Sequence, residues 1–240
     1  MKAMVLAAGR GERMRPLTDA TAKPLLQAGG RALIDYHLHA LAAAGVTEVV
    51  VNLSWQADRI REHVGNGARF SLAVRYSDEG PVPLETGGGI RQVLDWLGPG
   101  PFLVVNADIW TDYPLGSLTL PAGSLAHLVL APNPAHHPAG DFALDPAGGV
   151  VADGPRLTYT GLGALHPQLF EGREAGRFPL KPLLDRAQQL GRLSGETWAG
   201  RWFDVGTPAR LATLDEALQR GDFAHPLLRQ PQRHGAAPKG

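Results

Sequence analysis

The chain has 240 residues, no cysteine, 44% apolar residues and a formal net charge of zero, from 23 Lys+Arg against 23 Asp+Glu. Without cysteine there is no disulfide scaffold, thiolate zinc site, iron–sulfur cluster or cysteine nucleophile, and a balanced charge argues against non-specific nucleic-acid binding, which needs a basic face. No stretch approaches the about 18 apolar residues of a membrane span, so the expectation is one loop-rich domain over 1–224 and a disordered, proline-containing tail over 225–240.

Residues 2–7 form a short apolar run ending in glycines, which predicts a buried strand. Arg10, Glu12, Arg13 and Arg15 follow at once, so the run is too short for an export signal and a cytoplasmic location is expected. Residues 33–44 predict a helix with Leu33, Ile34, Leu38 and Leu41 on one stripe and Gly45 as its stop. Residues 48–53 read as a strand, 55–64 as an amphipathic helix, 72–76 as a strand, 89–97 as a helix and 102–105 as a strand. This alternation predicts a mostly parallel, Rossmann-like α/β sheet with helices on both faces. After about residue 112 the rhythm changes. Residues 125–131, 142–144, 149–152 and 157–162 read as short strands of a small antiparallel insert. Helices are expected over 179–190 and 208–219, with a strand at 202–205 between them. Trp55 and Trp96 are expected to be partly buried on helices.

The first strand runs into Leu6-Ala7-Ala8-Gly9-Arg10-Gly11-Glu12-Arg13-Met14-Arg15-Pro16-Leu17-Thr18. Small residues there let the backbone approach a ligand, and exposed N–H groups and arginines suit phosphate oxygens. A Walker A loop is excluded, because Gly-x-x-x-x-Gly-Lys-Ser/Thr is absent. A dinucleotide fingerprint would place its last glycine at Met14, and Pro16 opposes an immediate helix. Asp35 lies near the spacing of a ribose-binding acid but falls inside a predicted helix, not at a strand end. Lys23, held extended by Pro24, is close enough in sequence to reach back to the same phosphates.

The Leu6–Thr18 segment followed by Lys23-Pro24-Leu25, then Glu85-Thr86-Gly87-Gly88-Gly89, Asn106-Ala107-Asp108 and Phe203-Asp204-Val205-Gly206-Thr207-Pro208, resembles the sugar-1-phosphate nucleotidyltransferases. Gly-Glu-Arg-Met-Arg, Glu-Thr-Gly-Gly-Gly and Trp110-Thr111-Asp112-Tyr113 look most like the bacterial subgroup that uridylylates N-acetylmuramate α-1-phosphate in cell-wall recycling. A chain ending soon after the core is expected to lack the acyltransferase β-helix of some relatives.

The resemblance implies the nucleotide-diphospho-sugar transferase fold and transfer of a nucleotidyl group from UTP to a sugar-1-phosphate, with release of pyrophosphate. Arg13, Lys23, Asp108 and Asp204 are the implied catalytic residues, and Asp108 and Asp204 the implied ligands of Mg²⁺. Nucleotide binding is implied for Leu6, Ala7, Ala8, Gly9, Gly11, Glu12, Arg13, Lys23, Glu85, Gly88 and Asn106. Sugar binding is implied for Asp141, Thr160 and Gly161, with Gly161 making room for the ring and Trp110 and Tyr113 near the same side. His136 and His137 read as loop residues, because a neighbouring pair does not easily chelate one ion. Ala22 and Ala107 stand where relatives have Pro and Gly. The Glu-x-Lys-Pro segment that holds the sugar phosphate in many relatives has no counterpart near Asp153-Gly154-Pro155-Arg156, and Lys181 is a substitute for its lysine. Two alternatives stay open: another base and sugar within the same enzyme class, or a non-catalytic nucleotide-binding domain. No nucleic-acid or membrane partner is expected, and the oligomeric state is not legible.

Overall fold

A computed structural model describes residues 1–223; the tail expected at 225–240 lies outside the described residues. The chain opens with β1 (Lys2–Leu6), whose Ala3, Met4 and Val5 are fully buried. A loop with a single 3-10 turn (Glu12–Met14) leads to the short α1 (Leu17–Ala20) and to a two-stranded ribbon, β2 (Gln27–Ala28) and β3 (Arg31–Ala32). Then come α2 (Leu33–Ala43), β4 (Glu48–Leu53), α3 (Ala57–Val64), β5 (Ala73–Asp78), α4 (Glu85–Gln92), α5 (Leu94–Leu97) and β6 (Phe102–Asn106). The second half adds β7 (Ile109–Thr111), β8 (Ala126–Ala131), β9 (Phe142–Leu144), β10 (Val150–Val151) and β11 (Arg156–Leu165). It ends with α6 (Lys181–Gln189), β12 (Leu193–Thr197), β13 (Trp202–Asp204) and α7 (Pro208–Arg220).

β4 and β5 add in parallel on one side of β1, and β6 then returns to pair in parallel on its other side. The strand order thus reverses at β1. In open α/β sheets a crevice forms at such a reversal, outside the carboxyl ends of the strands. The loops after β1 and β6 both open into it. β11 lies antiparallel to β6, β8 antiparallel to β11, and β12 parallel to β8. The expected insert is therefore continuous with the central sheet, and β9 and β10 hang from the first residues of β11.

Alternation along the parallel strands fills both faces. Ala3, Val5, Val49, Val51, Leu103 and Val105 pack with Ile34, Leu38, Leu41, Ile60 and Val64 of α2 and α3. Met4, Val50 and Val104 pack on the opposite side with Ile90, Leu97, Leu183 and Leu184 of α4, α5 and α6. Burial of each such Val or Leu is worth roughly 1.5–3 kcal/mol against exposure. Leu33 leaves the expected stripe: with Tyr36 it joins Met14, Trp110, Leu214 and Leu218 in a third cluster under α7. Trp110 is fully buried there and Tyr113 is 5% exposed, so both are core residues and not lining of a sugar site. Trp55 and Trp96 are half-buried, and Trp55 precedes its helix. Among the described residues no helix is long and apolar enough to cross a membrane.

Candidate active site

The loop after β1 is pinned at both ends. Ala7 N–H donates to Asn52 Oδ1 at 2.7 Å, and Ala107 N–H donates to Leu6 O at 3.0 Å, joining the first loop to the one after β6. Gly11 has φ +66, where a side chain is strained, and a Cβ there would meet Thr18 Cγ2 at 3.0 Å and Lys23 Cβ at 3.1 Å. The loop can fold down onto Lys23 only with glycine at that position. Thr18 Oγ1 closes it by donating to Gly11 O at 2.8 Å, and buried Met14 anchors it in the third cluster.

Lys23 is 7% exposed, and its Nζ lies 2.6 Å from Asp108 Oδ2. Asp108 follows β6 directly. β13 pairs antiparallel with β7 so that Asp204 stands opposite Ile109, and Val205 N–H donates to Asp108 O at 3.0 Å. The two aspartates are thereby brought to one sheet edge. Arg210 Nη1 donates to Asp204 Oδ2 at 2.6 Å, and His136 Nε2 lies 3.1 Å from the same oxygen. Arg210 sits in the first turn of α7, whose N-cap Thr207 accepts from Arg210 N–H at 3.3 Å. A Cβ at residue 206 would fall 2.3 Å from Arg210 Nη2, so Gly206 leaves room for that guanidinium.

Two clefts meet at this edge. One, of about 200 Å³, is lined by Leu6, Ala7, Ala8, Gly9, Lys23, Glu85, Asn106 and Asp108 among others. The second, of about 330 Å³, is lined by Arg13, Asn106, Asp108, His136, Thr160 and Asp204 among others. Asn106 and Asp108 belong to both, so each cleft opens on the same carboxylate.

Several expected residues lie elsewhere or point another way. Glu12 lines a different cleft, 3.9 Å from Arg10, whose guanidinium lies over the Trp55 ring. Gly88 sits inside α4, which begins at Glu85 and not at the expected residue 89. Its N–H donates to Phe178 O at 3.0 Å, and a Cβ on it would be 2.1 Å from Gly176 O. These glycines let the 176–178 segment pack against the helix. Gly161 has φ +85 and a Cβ there would be 2.7 Å from Asn106 Cγ, so the room it makes is filled by Asn106. Thr160 is buried with its hydroxyl donated to Val129 O. Asp141 accepts from Tyr159 N–H at 2.8 Å and lies 3.1 Å from His137 Nε2, which fixes the 133–141 loop to β11. Lys181 pairs with Asp185 and lies over Phe142 in a separate cleft.

Residues not anticipated also gather here. His136 and Arg210 hold Asp204, and Asn52 and Glu79 line the first cleft. A polar Asn at the carboxyl end of the otherwise apolar β4 was the available signal for Asn52. Nothing local marks His136, which meets Asp204 across 68 residues of chain. Among the described residues no group of three or more His, Asp or Glu gathers as a ready metal cage.

The chain belongs to the nucleotidyl transferase family, whose model matches residues 2–133. The N-acetylmuramate alpha-1-phosphate uridylyltransferase of Neisseria meningitidis is 47% identical over 220 residues, covering 88% of this chain and 95% of its own. That of Caulobacter vibrioides is 38% identical over 227 residues, covering 88% and 94%. A mannose-1-phosphate guanylyltransferase catalytic subunit beta from Dictyostelium discoideum is 35% identical but matches only 49% of this chain. Of solved structures, one assigned as a glucose-1-phosphate thymidylyltransferase from Bacillus anthracis superimposes with TM-score 0.79 at 17% identity over 94% of this chain and 98% of its own. HddC from Yersinia pseudotuberculosis superimposes with TM-score 0.73 at 20% identity over 90% and 98%. These two likenesses establish the fold: a mixed, mostly parallel α/β sheet with helices on both faces.

Proposed function

We propose that the chain transfers uridylate from UTP to N-acetylmuramic acid α-1-phosphate, giving UDP-N-acetylmuramate and pyrophosphate. The observation that carries this reading is the meeting of two clefts at Asp108, with Lys23 on one side and Asp204 on the other. The choice of base and sugar is supported by the two relatives that match most of the chain, whereas the guanylyltransferase matches half of it.

In this reading the first cleft takes the nucleotide and the second the sugar phosphate. Backbone N–H groups of residues 8–11 receive the triphosphate. A phosphate oxygen of the sugar attacks the α-phosphorus in line, and the bond to the β-phosphate oxygen breaks. Such chemistry asks for positioning and charge neutralisation more than for covalent help. Lys23 exchanges Asp108 for an α-phosphate oxygen and offsets the charge that builds there. Arg13, exposed at the second cleft beside Asp108 and Asp204, donates to the phosphate oxygens that meet there. Arg210 and His136 hold Asp204 at the second cleft, which Asp108 also lines.

The donor set fits a hard divalent cation. Such ions take one or two carboxylates completed by phosphate oxygens and water, and the site offers two, each with one oxygen engaged by a cationic side chain. Asp108 and Asp204 would hold Mg²⁺, which supplies neutralisation of the transferring phosphate.

Pyrophosphate release tests the proposal, with UTP, GTP, TTP and CTP each crossed with the 1-phosphates of N-acetylmuramate, N-acetylglucosamine, glucose and mannose. UTP with N-acetylmuramate 1-phosphate should give the highest kcat/KM. A higher value for any other pair, or no release with any, overturns it. Chelation should abolish turnover and added Mg²⁺ restore it.

A further inference from the structure

The wall of the first cleft contains a polar chain with no part in the chemistry above. Asn52 is the last residue but one of β4 and is 3% exposed. Its Oδ1 accepts Ala7 N–H at 2.7 Å, and its Nδ2 donates to Glu79 Oε1 at 2.7 Å. Glu79 Oε2 accepts Leu84 N–H, again at 2.7 Å. Three bonds thus run from the first residue of the glycine loop to the residue before Glu85. Glu85 itself has φ +63, a conformation that L side chains rarely adopt. The chain has a direction, because the amide oxygen must face Ala7 and the amide nitrogen must face the carboxylate. Gly89 keeps the space clear: a Cβ there would lie 2.4 Å from Glu79 Oε1 and 3.0 Å from Asn52 Nδ2.

We infer that Asn52 and Glu79 are positioning residues for the nucleotide, forming a relay that sets the spacing between the glycine loop that receives the triphosphate and the Leu84–Glu85 segment on the other wall of the cleft. The inference rests on the first cleft being the nucleotide site. Neither side chain takes part in bond making. Both act through backbone N–H groups of Ala7 and Leu84, so their loss falls on the nucleotide and spares the sugar phosphate, which lies across Asn106.

The test is a polarity swap. Glu79→Gln puts an amide where two donors need acceptors, and Asn52→Asp puts a carboxylate against Glu79. Each single change should raise KM for UTP about tenfold, the effect of losing one bond of a buried polar group, with KM for the sugar phosphate unchanged. In the double variant N52D/E79Q the new carboxylate at 52 accepts from Ala7 N–H and from the new amide at 79. The oxygen of that amide accepts Leu84 N–H, so all three bonds return and KM for UTP should recover. Gly89→Ala, whose added Cβ would fall 2.4 Å from Glu79 Oε1 and 3.0 Å from Asn52 Nδ2 and so press on the bond between them, should show the same UTP-selective rise and serves if a variant at 52 does not fold. Unchanged KM for UTP in Glu79→Gln and Gly89→Ala, an equal rise in both KM values, or a double variant no better than the singles overturns the relay. A merely structural role would lower the melting temperature and leave the ratio of the two KM values as it was. A wild-type protein inert with UTP would refute the functional reading; an active one with unaltered variants would refute only the relay.

Discussion

Lys23→Met removes one ammonium while keeping an unbranched stem of similar length. The group lost lies 2.6 Å from Asp108 Oδ2, with 8% of the Lys23 side chain exposed and 39% of the Asp108 side chain. Breaking a fully buried pair costs about 3–5 kcal/mol because a charge is stranded. Water reaches Asp108, so the cost here should fall to about 1 kcal/mol, or about 2–4 °C in melting temperature for a chain of this size. The rate should respond far more. A donor aimed at charge that builds in the transition state is worth about 10²–10³ in kcat, while ground-state contact with the triphosphate is shared with the glycine loop. Pyrophosphate release at saturating UTP gives kcat, calorimetry with UTP gives Kd, and a melting curve gives the stability term. A fall in kcat below about tenfold, or a loss of UTP affinity larger than the loss of kcat, would make Lys23 a binding residue and refute the reasoning.

Asp108→Asn keeps the shape but removes the charge shared by both clefts; turnover should fall by about a thousandfold or more with the melting temperature within a few degrees, checked by the same assays. Near-normal turnover would remove Asp108 from the centre. Gly161→Ala forces a side chain into φ +85 and onto Asn106, and should cost about 1–3 kcal/mol of stability by denaturant unfolding while raising KM for both substrates. Leu38→Ala empties a fully buried position between α2 and the sheet; unfolding should be easier by about 2–5 kcal/mol with KM values unchanged.

The glycine loop, Asp108 and Asp204 were legible because they stand at strand ends, where local pattern and position agree, whereas Lys23, in a 3-10 turn after α1, was read from its nearness to the loop and from the resemblance. The parallel half was legible for the same reason: Met4 and Val50 alternate with neighbours that face the other way. β12 was not read, since Leu-Ser-Gly-Glu-Thr has little apolar alternation and becomes a strand only by pairing with β8. The start of α4 was misplaced because three glycines disfavour helix by about 1 kcal/mol each. The close packing of Phe178 and Gly176 against them is a tertiary compensation. Trp110, on β7, and Tyr113, two residues beyond it, follow Asp108 in sequence but are buried in the core. The His136–Asp204–Arg210 group joins distant segments, which no spacing rule connects.

Lys23 and Asp108 come from positions 85 residues apart, and Asp204 arrives later still on β13. Ribosomes add about 5–20 residues each second, so roughly 9–36 seconds separate the synthesis of Lys23 from that of Asp204. Catalytic competence therefore arrives as one late event. A chain lacking β13 and α7 lacks Asp204 and also residues of the third cluster that anchor Met14, so the loop and the last acid are completed together.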